Sequence, residues 1–309
     1  MTVLLLLGPT ATGKSAVAAA VAEKTNAEII SADARAIYRG LEIGTDRPPP
    51  EVLDRVPHHL VGMLDPGQTY DAVRFRSDCE RLVAEIHARE RRAIIVGGGT
   101  LYVRALTRGI FAGPPADPHL REAFGQQTLA ALRAELACVD PASAARIHPA
   151  DRVRLTRALE VHRLTGRPLS AAWGSEVTFP WPLVRVGLTL DRDELHRRIE
   201  ERVRRMFAAG LVEEARRLWD RHLPPDVSAV RTIGYQELSA HFSGEYELEE
   251  AQRRIVKNTR AYARRQLAFF RSESGVQWLD ITRLSPREVA AEVLDAWRTA
   301  NSGLQSLAC

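Results

Sequence analysis

The eight residues Gly8-Pro9-Thr10-Ala11-Thr12-Gly13-Lys14-Ser15 constrain the fold of this chain more than any other stretch. They fit G-x-x-x-x-G-K-[ST], a phosphate-binding loop that works only between a buried strand and the start of a helix. Both neighbours are present: residues 3–7 are an unbroken apolar run, and residues 16–24 are rich in Ala and Val. The glycines let successive backbone N–H groups turn inward around an anion, and the helix adds its positive N-terminal end. In such a loop Lys14 bridges phosphate oxygens and Ser15 offers its hydroxyl to Mg²⁺. The loop recognises linked phosphates and no base, so it specifies a di- or polyphosphate without specifying ATP.

Further strands follow. Residues 27–30 read as a second strand ending at Ser31-Ala32-Asp33, residues 93–96 as a third, and Val184, Val186, Leu188 and Leu190 alternate as a fourth. The expected fold is therefore α/β, a P-loop NTPase-like parallel sheet flanked by helices. Ligand-handling residues collect beyond the carboxyl ends of such strands. Asp33 stands there and suits a general base or a metal partner; an Asx turn is the structural alternative. Gly97-Gly98-Gly99-Thr100 ends another strand, where glycines permit close backbone approach. The Gly-punctuated residues 37–48 read as a binding loop. Adjacent His58 and His59 point opposite ways from a strand or loop, which favours cap and packing roles over a shared metal. Residues 70–91 carry Phe75, Cys79, Leu82, Val83 and Ile86 at helical spacing.

The Pro- and Gly-rich residues 112–118 form a linker, and helices follow, at 129–137 and from an Asp151 cap to about 165. Residues 174–182 are a second cluster of breakers. This divides the chain into a core of residues 1–116 and 183–309 and a helical insertion domain of residues 117–182. Helices dominate beyond residue 193. There Arg253, Lys257, Arg260, Arg264 and Arg271 share one helical face, opposite Ile255, Tyr262 and Phe269. A stripe without interleaved acids favours a polyanion, although a solvated surface face would show the same residue types.

The 309 residues carry a net charge of +4, a mild further pointer to a polyanionic partner. Only Lys14, Lys24 and Lys257 among the 43 basic residues are lysines, so position counts for more than number. No apolar run approaches the roughly eighteen residues of a membrane span. Cys79, Cys138 and Cys309 are scattered without metal spacing and read as reduced thiols. A cytoplasmic monomer with no membrane association is expected.

An ordered series of motifs resembles the tRNA dimethylallyltransferases, also called tRNA isopentenyltransferases, nearly end to end. Besides the phosphate loop it comprises Ile30-Ser31-Ala32-Asp33, Tyr38-Arg39-Gly40-Leu41-Glu42-Ile43-Gly44-Thr45, Val56-Pro57-His58-His59-Leu60, Leu64-Asp65-Pro66, Val96-Gly97-Gly98 and Leu101-Tyr102. The second half adds Ala145-Arg146-Ile147-His148-Pro149, residues 154–161, Ile233-Gly234-Tyr235 and Ala263-Arg264-Arg265-Gln266. The resemblance implies transfer of a dimethylallyl group from dimethylallyl diphosphate to N6 of the adenosine 3′-adjacent to the anticodon, in tRNAs reading codons that begin with U. It implies Asp33, Thr10, Thr100 and Arg231 as catalytic residues, the whole loop from Gly8 to Ser15 as the diphosphate site, and Mg²⁺ at Ser15. It implies contacts to the tRNA anticodon stem-loop from Asp33, Ala34, Arg35, Ala36, Gly99, Arg121, Val153, Arg154, Leu155, Thr156, Arg157 and Arg264.

The chain departs from the family pattern at Ala34 and Ala36, at Phe269, and at Gly99, where the family's threonine is displaced to position 100. The expectation is that flexible glycines at positive φ swing Thr100 back toward the substrate. Two other readings stay open at this point: a small-molecule P-loop enzyme (a kinase or an adenine-nucleotide prenyltransferase), and a tRNA-binding protein with impaired catalysis.

Overall fold

The structure, a computed structural model, describes residues 1–173 and 178–306. The expected breaker cluster at 174–182 and Cys309 therefore lie partly or wholly outside the described residues. The chain divides into two compact units, Met1–Thr107 with Phe179–Cys309, and Arg108–Thr178. Both boundaries fall somewhat earlier than the 117 and 182 read from breaker residues, because contact and not composition defines them.

The first unit is built on a six-stranded parallel sheet. Its elements in order are β1 (Val3–Leu7), α1 (Lys14–Thr25), β2 (Ala27–Ser31), α2 (Glu42–Thr45), α3 (Pro50–Arg55), β3 (His58–His59), α4 (Ala72–Ala88), β4 (Arg92–Val96) and α5 (Thr100–Thr107). The second unit holds α6 (Pro118–Gly125), α7 (Leu129–Val139), α8 (Pro141–Arg146) and α9 (Arg152–Thr165). The first unit resumes with β5 (Leu183–Thr189), α10 (Arg192–Ala208), α11 (Leu211–Trp219), α12 (Tyr235–Phe242), α13 (Leu248–Arg271), β6 (Val276–Asp280) and α14 (Pro286–Ser306).

The strand order is β3-β2-β4-β1-β5-β6, and every pairing is parallel. β1 and β2 are buried along their whole length, as strands covered by helices on both faces must be. β1 lies where the order reverses, with β2 and β4 to one side and β5 to the other, so the phosphate loop opens at the topological switch point. Two strands escape the sequence pattern. β3 has two residues, and β6 is a half-exposed edge strand whose alternation is blurred by Trp278 and Leu279. The two histidines do pack and cap: His58 Nδ1 meets Val56 O at 2.7 Å, and His59 Nε2 meets the buried Glu28 at 2.6 Å.

The second unit encloses its own core of Phe124, Leu132, Leu136, Ala144, Leu155, Ala158 and Leu159. Each of its helices starts on a side-chain cap, Asp117, Thr128, Asp140 and Asp151 in turn. Below the first cap lies Glu160, fully buried. It accepts from Asp117 N (2.9 Å), Arg121 Nε (3.0 Å) and Arg157 Nη1 (2.5 Å). Burial alone would raise the Glu160 carboxyl, but the hydrogen bonds from Arg121 and Arg157 outweigh it and hold it below the usual carboxylate range. Its contribution to stability is therefore complete above the unfolded carboxyl's pKa and fades as pH falls through the folded value. Glu160→Ala should loosen this unit by about 2–3 kcal/mol, somewhat below the roughly 3–5 kcal/mol of a broken fully buried pair, because both guanidinium groups stay partly in water. Hydrogen exchange of the α6 to α9 amides measures this. An unchanged exchange rate in the variant would show the cluster idle, and the difference should shrink in acid.

Candidate active site and flanking cationic groove

A pocket of about 700 Å³ opens over the carboxyl ends of the central strands. One end is lined by Asp33, Ala34 and Arg35 from the turn after β2 and by Gly99, Thr100, Leu101 and Tyr102 from the start of α5. Thr10 of the phosphate loop and Ile255, Thr259, Tyr262 and Arg265 of α13 also contribute. The other end is formed by α10 and by residues from 226 to 236.

The loop's backbone is shaped by a few positions. Gly8, at φ 149°, leaves no room for a side chain, since a Cβ would lie 2.7 Å from Leu188 O. Ala11 and Gly13 adopt left-handed φ values of 67° and 81°; for Ala11, which carries a Cβ, this costs roughly 1 kcal/mol. Pro9 accepts from Thr12 Oγ1 and from Lys14 Nζ (2.6 Å). The Lys14 ammonium is pushed down to about 7, by burial first and by Arg202 second, with Asp33 and Asp46 opposing. Ser15 stands exposed at the first turn of α1 without a hydroxyl partner among the described residues, so its hydroxyl would be free to hold a cation. No cluster of three His, Cys, Asp or Glu side chains occurs among the described residues. That donor set fits Mg²⁺, which keeps waters and substrate phosphates as most of its ligands.

Arg202 was not legible as a site residue. It donates from Nη1 to Thr10 Oγ1, with Nε 3.5 Å from Asp46, and so places a second cation opposite Lys14. It hides in the charged run of α10. The one sequence signal is its position beside the apolar line Leu195, Ile199, Val203 and Met206, at the border of the buried face.

Asp33 forms the turn that its position allowed and also lines the pocket. Its Oδ1 accepts from Arg35 N (2.8 Å) and Ala36 N (3.3 Å), an Asx turn. That turn fixes the carboxylate, and Oδ2 keeps no partner among the described residues. Across the pocket, burial first and Asp33's charge second raise the Tyr262 hydroxyl to about 12. Ala34 and Arg35 line the pocket, but Ala36 does not: its side chain is buried, so only its backbone serves the turn.

Thr100 reaches the pocket by a different route from the one expected. None of Gly97, Gly98 and Gly99 adopts positive φ. They are needed for space. A Cβ at Gly97 or Gly99 would meet Ala32 O at 2.4 or 2.7 Å, and one at Gly98 would meet Gln266 Nε2 at 2.1 Å. A threonine at position 99 would thus be driven against backbone, whereas Thr100, as the first residue of α5, lines the pocket unhindered. Arg231 is exposed on the pocket wall.

The residues expected at RNA divide sharply. Leu155 is fully buried in the second unit's core and cannot touch a ligand. Arg121 and Arg157 both donate to Glu160, and Arg157 also to Pro114 O, while their side chains stay 52% and 32% exposed. Thr156 is half-buried. Val153 is 76% exposed, and Arg154 is open with a single 3.4 Å contact to its own cap, Asp151. Arg264 lies outside the pocket. It belongs to a groove of about 1260 Å³ between α10 and α13. Arg192 and Arg204 line one wall, and Arg253, Lys257, Arg264 and Arg271 the other. The stripe is less pure in space than along the chain: Arg260 pairs with Glu200, and Arg253 with Glu250. Arg192, Arg204, Lys257, Arg264 and Arg271 have no carboxylate partner among the described residues. α13 therefore separates two sites, with Ile255 and Tyr262 facing the pocket and the cations facing the groove.

Comparison with known proteins is consistent with this layout. Residues 36–273 match the family model described as IPP transferase. A tRNA dimethylallyltransferase of Geobacter metallireducens is 46% identical over 90% of this chain and 92% of its own length. One of Geobacillus kaustophilus is 43% identical over 98% and 97%. The crystal structure of a full-length tRNA isopentenylpyrophosphate transferase from Bacillus halodurans aligns with a TM-score of 0.76 at 35% identity, covering 99% of this chain and 98% of the other.

The depressed Lys14 gives a pH signature. A bound diphosphate should restore the ammonium, so binding near pH 8 should take up about one proton and near pH 6 almost none from this group. Calorimetry in buffers of different ionisation enthalpy measures the uptake. Lys14→Met should remove it; an uptake unchanged in that variant would place the proton elsewhere.

Proposed function

Because this chain belongs to the IPP transferase family of tRNA-modifying enzymes, we propose that it transfers a dimethylallyl group from dimethylallyl diphosphate to N6 of the adenosine 3′-adjacent to the anticodon, in tRNAs reading codons that begin with U. It acts in the cytoplasm as a monomer. The observation that carries the reading is the meeting, in one pocket, of Thr10 at the phosphate loop and its partner Arg202 with a carboxylate that keeps one oxygen free. Small-molecule kinase chemistry would leave unexplained why relatives named for tRNA match nine-tenths of the chain.

In the reaction, N6 attacks C1 of the donor as the C1–O bond breaks, and the electron pair leaves with diphosphate. The loop amides, Lys14 and Arg202 hold that leaving group where its charge grows. Mg²⁺, held through Ser15 and phosphate oxygens, would add neutralising charge. Asp33 Oδ2 takes the proton from N6, and Thr10 and Thr100 orient the reacting groups. The adenine has to leave its stack to enter, and Tyr262 and Arg265 offer it a stacking surface. Arg231 stands on the wall where the diphosphate departs.

Mass analysis of nucleosides from tRNA incubated with protein, donor and Mg²⁺ is the direct test: one C5 unit should appear on adenosine. Asp33→Ala should bind tRNA normally and transfer about 10²–10⁴-fold more slowly. Transfer at wild-type speed would leave Asp33 as a turn residue only, and robust phosphate release from ATP without a prenyl donor would favour a kinase.

The RNA backbone is assigned to the exposed cations. Lys257→Ala and Arg264→Ala in the groove, and Arg154→Ala in the second unit, should each lower the slope of log K against log salt by roughly 0.7–0.9. Arg157→Ala should change stability more than slope. An unaltered slope in the Lys257/Arg264 double variant would take the groove out of the interface.

A further inference from the structure

The pocket's lining mixes charged and apolar side chains. Besides Asp226, Ser228, Arg231 and Gln236 it carries an apolar group, Val203, Met206, Leu211 and Ile255, each less than 9% exposed yet lining the pocket. Arg202 and Met206 are four residues apart on α10, so they stand on one face about one turn, roughly 6 Å, from each other. A group bonded to a diphosphate in the loop, below Arg202, meets Met206 after that distance. The far wall is braced. Leu211 opens α11, and one turn later Glu214, 1% exposed, accepts from Ile43 N (2.9 Å), Gly44 N (2.9 Å) and the Tyr235 hydroxyl (2.6 Å). Gly44 itself lines the pocket and is pressed against the Tyr235 ring, where a Cβ would lie 2.5 Å away. This buried carboxylate has no part in the chemistry of transfer; it ties α2, α11 and α12 into a wall that cannot retreat.

We propose that Met206, backed by Leu211 and Ile255, is the chain-length stop of the donor site: the apolar group lines a chamber for a branched five-carbon group and excludes longer prenyl chains. The proposal rests on the prenyl-transfer reading. A thioether side chain suits the position, since it fills an irregular gap around a branched alkyl group without demanding a hydrogen-bond partner. The rigid Glu214 cluster is what turns a soft contact into a limit. Ten carbons would have to displace Leu211, fully buried one turn before the anchored Glu214.

The test uses the full chain with tRNA, comparing kcat/KM for dimethylallyl and geranyl diphosphate in wild type, Met206→Ala and Met206→Phe. Met206→Ala should raise the geranyl-to-dimethylallyl ratio about tenfold or more, the usual weight of a few methylenes in an apolar pocket. Met206→Phe should lower kcat/KM for dimethylallyl diphosphate about tenfold while leaving the Kd of inorganic diphosphate within about twofold, which also certifies the fold. If both variants bind inorganic diphosphate and keep the wild-type donor ratio, the stop is not Met206. If wild type transfers from neither donor, the prenyl-transfer reading fails separately, and binding decides the chamber. Dimethylallyl diphosphate should then bind about tenfold or more tightly than methyl diphosphate, a margin that Met206→Phe removes. Equal affinities would overturn the chamber.

Discussion

One buried side-chain amide holds the catalytic architecture together. Gln266, 2% exposed, accepts the Thr10 N–H through Oε1 (2.9 Å) and donates from Nε2 to Gly98 O (2.8 Å). It thereby pins the loop after β1 and the glycine turn after β4 to the same point on α13. The central sheet alone would bring the two loops near one another; it would not set their separation from the helix. With Gln266 in place, Tyr262, one turn earlier, faces the pocket, and Arg264 faces the groove. The absence of a Cβ at Gly98 follows from the same contact, because Gln266 Nε2 occupies the space.

Elsewhere buried carboxylates do comparable work. Glu28 gathers His59, Arg89 and Arg91 across the edge of the sheet. Glu160 gathers Arg121, Arg157 and the Asp117 amide within the second unit, and Glu214 gathers three donors behind the apolar side chains of the pocket. Glu237 accepts from Gly234 N and Asn258, holding the start of α12 to α13. Each is at most 3% exposed and fully occupied with donors, which is the condition under which a buried charge is tolerated. These carboxylates consume arginines that would otherwise look free for RNA.

That consumption separates the arginines into two populations. Those near a buried glutamate are paired with it, although Arg89 and Arg121 stay about half exposed. Arg192, Arg204, Arg264 and Arg271 of the α10–α13 groove have no carboxylate partner among the described residues and stay exposed, so their field is directed at solvent and at any polyanion there. In the pocket the logic is reversed. Lys14 is depressed by burial first and by Arg202 second, with Asp33 and Asp46 opposing. A bound diphosphate would favour the charged ammonium, so the buried cation in the free protein favours binding of the anion.

Local chemistry, readable from the chain alone, determined much of this. The apolar run before Gly8, the loop's glycines and the Ala-rich helix after it dictated β1, the loop and α1. Asp151 before a helical period dictated α9, and the stripe from Arg253 to Arg271 was visible because helical spacing is a property of neighbours in sequence. Asp33 could be placed at a strand's carboxyl end for the same reason. Tertiary structure alone decided which of those residues are available. Leu155 and Arg157 sit in the same helical turn as Arg154, yet the core takes one and Glu160 takes the other. Arg202 and Thr10 are 192 residues apart and meet only because β5 pairs with β1 and sends α10 past the loop. The glycines before Thr100 looked like sources of flexibility and are instead sites of close contact. Pairing, burial and steric room depend on residues remote in sequence, so no local pattern carries them.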